Sequence, residues 1–370
     1  MTDQQFRLLD ITTRMATDED SDIPAYDHTK LSNINTCPTW GILRYSHHKK
    51  MAHTNRSMPL EAGSAAHESF SAVRWYQFYT RDVVDKTGEA IAEAHGIRIF
   101  GQERYERMRN TISLNASDRT NAINAALDVL YSSGFYDDPT DRNRTVSNIS
   151  ESLIAWVDDY DLDRYPIWVR DINDKDSDIG VENPFNIVVM FKYSVGDTEY
   201  DRKFRFTGKL DGLQHNKKRG SDAKDKGPLF IYEEKTGGKL DDNWLAQWML
   251  SHQITGYCIA ASTFTDLPCT NAKISGMRLP IGRVPHEGIR KASVPRNQLM
   301  FEKWAGWFID SANTERKWVD QVFNAPMYTH SCNRYFSSCS FLSFCAAQDI
   351  EEKQLIFDEM VTDEWSPLHE

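Results

Sequence analysis

The sequence predicts an α/β protein, on three observations. From Gly63 to about Tyr165 the text is helical. Segments such as EAIAEAHGIRIFGQERYERMRNTI, NAINAALDVLYSS and ISESLIAWVDDYDL repeat apolar residues every three or four positions. After Pro166 the character changes to strands, in IWVRDI, VENPFNIVVMFKY and the stretch Phe204–Gly238. Long helices then follow, WLAQWMLSHQITGYCIAAS and QLMFEKWAGWFIDSANTERKWVDQVF, the second amphipathic. A chain of 370 residues, 40% of them hydrophobic, can bury a large core as one elaborated domain or two.

Residues 1–30 are polar, include DEDSD, and read as a loosely packed tail. Residues 31–67 read as N-terminal helices. Ser32 is the expected N-cap of a short helix with Cys37 one turn in, directly before Pro38. A second short helix is expected from Trp40 to Lys50. Gly63-Ser64-Ala65-Ala66-His67 opens a longer helix whose small residues permit close approach of another element. A lone helical histidine there is either structural or a ligand. Residues 68–165 form a helical insertion, with the loop GFYDDPTDRNR inside it. Residues 166–325 carry the strands, with VGD at 195–197 as a hairpin turn. On the helix after GGKLDDN, Leu245, Met249, Gln253 and Tyr257 share a face. Residues 326–350 are cysteine- and aromatic-rich, and 351–370 form an acidic tail.

No run of about 18 apolar residues occurs, so no membrane span is expected. The polar, acidic N-terminus does not read as a signal peptide, and a cytoplasmic protein is expected. The net charge of −11 argues mildly against nonspecific polyanion binding. Local basic clusters stand against that background: HHKK at 47–50, the Lys203/Arg205/Lys209 alternation and NKKRG at 216–220. The latter two flank the Asp211 strand; solvated surface charge is the plain alternative for each.

The stretch Phe204–Gly238 reads as strand, charged loop and strand. Asp211 closes the first strand, and Glu233 and Lys235 sit near the end of the second. Period-two geometry puts Glu233 and Lys235 on one face and Glu234 on the other. Two carboxylates from adjacent strands plus a lysine can hold a hard divalent cation and aim a charge at a phosphate. Ordinary exposed strand charges are the bland alternative.

Of six cysteines, Cys258 in an apolar helix and Cys269 in a turn read as filler. Cys332, Cys339 and Cys345 follow C-x6-C-x5-C among aromatic residues, without the short knuckles that zinc favours. Such spacing suits an iron–sulfur cluster better, with distant Cys37 as the natural fourth ligand. Three buried core cysteines are the alternative.

Taken together, these residues resemble the iron–sulfur group of RecB-like PD-(D/E)XK nucleases, which includes the AddB nuclease domain, CRISPR spacer-adaptation nucleases and many phage exonucleases. The motifs stand in the family's order: SNINTCP with Cys37, GSAAH with His67, VENPF with Glu182, GKLDG with Asp211, YEEKTGG with Glu233 and Lys235, QITGY with Gln253 and Tyr257, then the three cysteines. The resemblance implies a restriction-endonuclease-like core, a mixed central sheet flanked by helices, with a helical insertion and a terminal iron–sulfur staple. It implies that His67, Asp211 and Glu233 bind Mg²⁺ or Mn²⁺, helped by the Glu234 carbonyl. Lys235 would orient or activate the attacking water, and Gln253 and Tyr257 would support the site and contact nucleic acid. Glu182 is a weaker candidate. Cys37, Cys332, Cys339 and Cys345 would ligate a [4Fe–4S] cluster. Many relatives space the first two late cysteines by two residues, where this chain has six.

The implied activity is a metal-dependent deoxyribonuclease, an exonuclease on single-stranded DNA or DNA ends. It would serve recombination, repair or phage DNA processing, in the host cytoplasm if phage-encoded, with a helicase, recombinase or integrase as partner. The alternatives are a CRISPR-adaptation-like nuclease that trims spacer precursors, and a non-catalytic nucleic-acid-binding scaffold with a degenerate site.

Overall fold

Alternating apolar residues in VENPFNIVVMFKYSV and FRFTGKLDGLQH produce two long strands, and a left-handed Gly196 between them makes the tight turn expected at 195–197. The computed structural model describes residues 6–51, 57–83, 85–162, 164–171, 173–218, 227–282, 284–334 and 337–365. Arg219 and Gly220, the end of the NKKRG cluster, lie outside the described residues.

The chain begins with β1 (Phe6–Met15), β2 (Ala25–Tyr26), α1 (His28–Thr36), α2 (Pro38–Gly41) and β3 (Lys49–Lys50). Five helices follow: α3 (Met58–Gln77), α4 (Lys86–Phe100), α5 (Gln102–Thr111), α6 (Asp118–Ser132) and α7 (Val146–Asp159). Next come β4 (Val181–Val195), β5 (Thr198–His215), β6 (Leu229–Gly237), α8 (Asp242–Met249), α9 (His252–Thr265), β7 (Cys269–Arg278) and β8 (Ile289–Pro295). The chain closes with α10 (Gln298–Trp318), β9 (Asn333–Arg334), β10 (Ser337–Ser338), α11 (Leu342–Ala346), α12 (Ile350–Glu359) and β11 (Val361–Thr362). The architecture is mixed α/β. The main sheet runs β1-β4-β5-β6-β7-β8 with β2 beside β5, and it mixes parallel and antiparallel pairs.

The chain divides into two units. One comprises Met1–Arg56, Phe185–Gly208 and Gln298–Glu370; the other comprises Ser57–Pro184 and Lys209–Asn297. In the discontinuous three-segment unit, Tyr26, Phe191, Phe204, Phe206, Trp304 and Phe308 form an aromatic core, with Phe308 within 5.3–6.0 Å of each of the other five. In the second unit the helical segment 58–159 packs its own core around Phe70, Trp75 and Trp156. There β5 and β6 run antiparallel, while β6 and β7 run parallel. Parallel neighbours need a crossover, which α8 and α9 supply.

Several expectations are corrected. Residues 6–15 are not tail but β1, which pairs along its length with β4. Its mostly exposed side chains lack the buried alternation that marks a strand in sequence. Helix α1 starts at His28, because Asp27 accepts from the Lys30 amide at 2.6 Å and takes the capping role expected of Ser32. Cys37 is not inside a helix; it is the extended residue between α1 and α2, a conformation that Pro38 imposes on its predecessor. The expected helix from Trp40 to Lys50 ends at Ser46, and Lys49–Lys50 pair with β11. GSAAH lies inside α3, which begins at Met58 with Pro59 in its first turn. IWVRDI makes only isolated bridges through Ile167 and Val169. The helix expected through Leu245 and Tyr257 is two helices. Ser251 caps the second, and the Arg296 guanidinium takes the carbonyls of Trp248, Met249 and Ser251 at the break. Cys269 opens β7 and is not in a turn, and residues 350–359 of the acidic tail are helical.

Candidate functional site

All the residues expected around the metal lie in the second unit. Helix α3 approaches β6 closely: a Cβ at Gly63 would lie 3.4 Å from the Thr236 hydroxyl. That places His67, Ser71 and Arg74, spaced by four and three, toward the strands. Asp211 stands one residue before Gly212 on β5, and Glu233 one residue after Tyr232 on β6. Because Gly212 pairs with Tyr232, the two carboxylates start from adjacent backbone positions.

The side chains converge as that register dictates. His67 Nδ1 is 3.5 Å from Asp211 Oδ2, which also accepts the Glu234 amide at 3.2 Å. Lys235 Nζ is 2.5 Å from Glu233 Oε1. Glu233 is only 1% exposed, and its Oε2 has no hydrogen-bond partner among the described residues. A buried carboxylate oxygen without a donor is the group a cation would satisfy. Among the described residues no group of three or more His, Cys, Asp or Glu side chains is already arranged to hold a metal ion. The donor set nonetheless fits a hard ion that keeps several waters, with Asp211, Glu233 and His67 each able to offer a lone pair.

Electrostatics sort these groups. Burial, then the neighbouring Asp211 charge, push the Glu233 carboxyl up to about 7 against the pull of Lys235. Burial also works against the Asp211 carboxylate, but His67, Lys235, Arg74 and the Glu234 amide outweigh it and hold its pKa below the ordinary value. Burial lowers the His67 pKa against the pull of Asp211, which favours the neutral form of the imidazole that can act as a ligand. Burial disfavours the Lys235 cation, yet Glu233 and Asp211 more than offset it.

A stability prediction follows from Glu233. Between its ordinary 4.5 and about 7 the folded chain holds a proton that the unfolded chain does not. The stability this contributes is therefore complete below 4.5 and is lost as pH rises through that window. Melting temperatures in metal-free buffer should fall less across this window in Glu233→Gln than in the unsubstituted chain. An equal fall in both would remove Glu233 as the cause.

Glu234 turns to the other face, as the strand period requires. Its carboxylate pairs with Arg74 at 2.6 Å, both side chains wholly buried. Gly212 permits the contact, since a Cβ there would lie 2.6 Å from Arg74 Nη1. Glu182 joins this network, accepting from Ser71 at 2.6 Å and pairing with Lys209 at 2.7 Å, with Arg74 at 3.8 Å. Sequence reasoning did not single out Arg74; a buried arginine in a helical segment has no distinguishing local signal. Arg74→Met should cost about 3–5 kcal/mol, because it strands Glu234 without a counter-charge. Arg74→Met/Glu234→Met should recover most of that in urea unfolding. Gln253 Nε2 donates to Tyr257 Oη at 3.1 Å on α9.

The four cysteines of the expected cluster come together in the first unit. Cys37, Cys332, Cys339 and Cys345 line one cavity of about 260 Å³, with Trp40 and Phe341. The wide C-x6-C gap is a β9–β10 hairpin, across which the Cys339 amide donates to the Cys332 carbonyl at 2.8 Å. Burial, then the other three cysteines, push the Cys345 thiol up to about 11, as expected of thiols crowded around one space. Thr39 Oγ1 donates to the Ala325 carbonyl, and Ser331 Oγ to the Thr36 carbonyl, joining the two ends of the chain here. Cys258 and Cys269 belong to the second unit, where both thiols point at the Asn271 carbonyl.

No family model matches the chain, and no curated protein matches it. The functional reading therefore stands on geometry and chemistry.

Proposed function

We propose that this chain is a metal-dependent deoxyribonuclease with a PD-(D/E)XK core, acting on single-stranded DNA or DNA ends. The observation that carries the reading is the convergence of Asp211, Glu233 and Lys235 from two paired strands, with His67 facing them from α3. A Mg²⁺ or Mn²⁺ ion held by Asp211, Glu233 and His67 would polarise the scissile phosphate and lower the pKa of a bound water. Asp211 is held ionised for that role, its orientation fixed by the Glu234 amide. Glu233 needs to lose its proton before it can ligate, which links the resting site to pH. Lys235 supplies the fixed positive charge beside the phosphate and orients the attacking water. Gln253 and Tyr257 are the polar pair offered to nucleic acid from α9.

Cys37, Cys332, Cys339 and Cys345 suit a [4Fe–4S] cluster: one thiol from the N-terminal segment and three from 332–345 line one cavity with an aromatic wall. On this reading the cluster is a structural staple, and the protein works in the cytoplasm on recombination, repair or phage DNA. Labelled single-stranded DNA incubated with purified protein should be degraded with Mn²⁺ or Mg²⁺ and survive in chelator. Full-length substrate under both conditions would overturn the assignment.

A further inference from the structure

Helix α8 is apolar along one side, with Trp244, Leu245, Trp248 and Met249, yet none of its residues is fully buried. Trp244 is the anchor. It lies on the sheet, and a Cβ at Gly276 would come within 2.3 Å of its ring. Trp248, one turn on, meets the Trp244 ring edge-on at 5.6 Å and is half-buried. Its ring centroid is 5.9 Å from Lys235 Nζ, so the indole borders the candidate phosphate site. Its Nε1 has no hydrogen-bond partner among the described residues. Next to it the chain shows solvent two more apolar side chains, Met249 at 42% and Leu250 at 74% exposure. The Arg296 clamp on the Trp248, Met249 and Ser251 carbonyls fixes this segment in place.

We infer that Trp248 is a stacking platform for an unpaired nucleobase, and that single-stranded DNA is the preferred ligand of the site. This deepens the nuclease reading and rests on it for the location of the phosphate. The argument is one of matching surfaces. A duplex keeps its base faces covered by their neighbours and presents phosphates, for which an apolar Trp-Met-Leu rim has no use. A single strand offers each base's π-face, which stacks on an indole whatever its sequence. Lys235 beside the ring receives the attached phosphate, so base and phosphate are met within one nucleotide's reach. Trp248 is thus a specificity residue, and Trp244 holds it in place.

The test uses the full-length protein in chelator, where no cleavage competes with binding. Fluorescence anisotropy compares an oligothymidylate, an abasic strand of the same length and the matching duplex. The unsubstituted protein should bind the oligothymidylate most tightly. Trp248→Ala should weaken that binding about tenfold and leave the abasic strand unchanged, while Trp248→Phe keeps most of the affinity. Melting curves confirm that each variant is folded. Unchanged oligothymidylate affinity in Trp248→Ala overturns the inference, as does an equal loss on the abasic strand or tighter binding of the duplex; α8 would then be a protein-docking surface. Cleavage of single strands by the unsubstituted protein in Mn²⁺ tests the nuclease reading separately. Cleavage with a silent Trp248→Ala sinks only the platform, and base-dependent binding without cleavage sinks only the catalysis.

Discussion

Asp211→Ala, Glu233→Ala and Lys235→Ala should each lower single-turnover cleavage by about 10²–10³-fold or more, with the fold and iron content intact. Asp211 and Glu233 are the two carboxylates that start from paired backbone positions, and no other described acid takes their place: Glu234 is committed to Arg74, and Glu182 to Ser71 and Lys209. Losing either leaves a hard cation with one carboxylate and a neutral imidazole, a poor set for Mg²⁺. Lys235 is held charged beside Glu233, and alanine removes that charge. The substitutions differ in what they do to the resting protein. Glu233→Ala removes the buried carboxyl whose folded pKa is raised, so its melting temperature should change less between pH 4.5 and about 7 than that of the unsubstituted protein. Near-normal cleavage by any of the three, in preparations free of unsubstituted protein, would refute the site.

Cys37→Ser should lose the visible absorbance near ~400 nm expected of an iron–sulfur protein, together with its iron. It should melt earlier and become protease-sensitive at both ends. The late cysteines supply only three thiolates, and the fourth thiol lining their cavity is Cys37. A cluster there closes almost the whole chain into one loop, which the unfolded state cannot do, so binding adds directly to folding. Cys258→Ser and Cys269→Ser should keep the colour, since those thiols sit in the other unit against Asn271. Retained iron in Cys37→Ser, with bleaching in Cys258→Ser or Cys269→Ser, would refute the staple.

The parts of the site legible in the sequence were those written in strand periodicity. Asp211 before a charged loop, and Glu233 and Lys235 two residues apart after it, take their faces from the sequence alone, because a strand alternates strictly. The opposite facing of Glu234 follows from the same rule, but its partner does not. Arg74 lies more than a hundred residues away, and only tertiary packing shows that its guanidinium crosses Gly212 to reach Glu234. LSHQ carries no Gly or Pro to mark the break between α8 and α9; the stop comes from Arg296, on a distant segment, bonding the freed carbonyls. β1, an edge strand with exposed side chains, reads in sequence like polar tail. The gap between Cys332 and Cys339 is the length of the hairpin between them.

The unit that gathers the four cysteines is assembled from residues 1–56, 185–208 and 298–370, whereas the unit with the carboxylates is finished by Asn297. On a ribosome making the chain from its N-terminus, every residue of the carboxylate unit is therefore made while Cys37 still waits for its partners. Residues 298–370 belong to the same unit as residues 1–56 and are made long after them. A chain stalled or clipped before Cys345 would carry a formed carboxylate site beside an N-terminal segment with nothing to close on. Such fragments are natural targets for proteolysis, so the carboxylate unit would accumulate only together with the segment that gathers the cysteines.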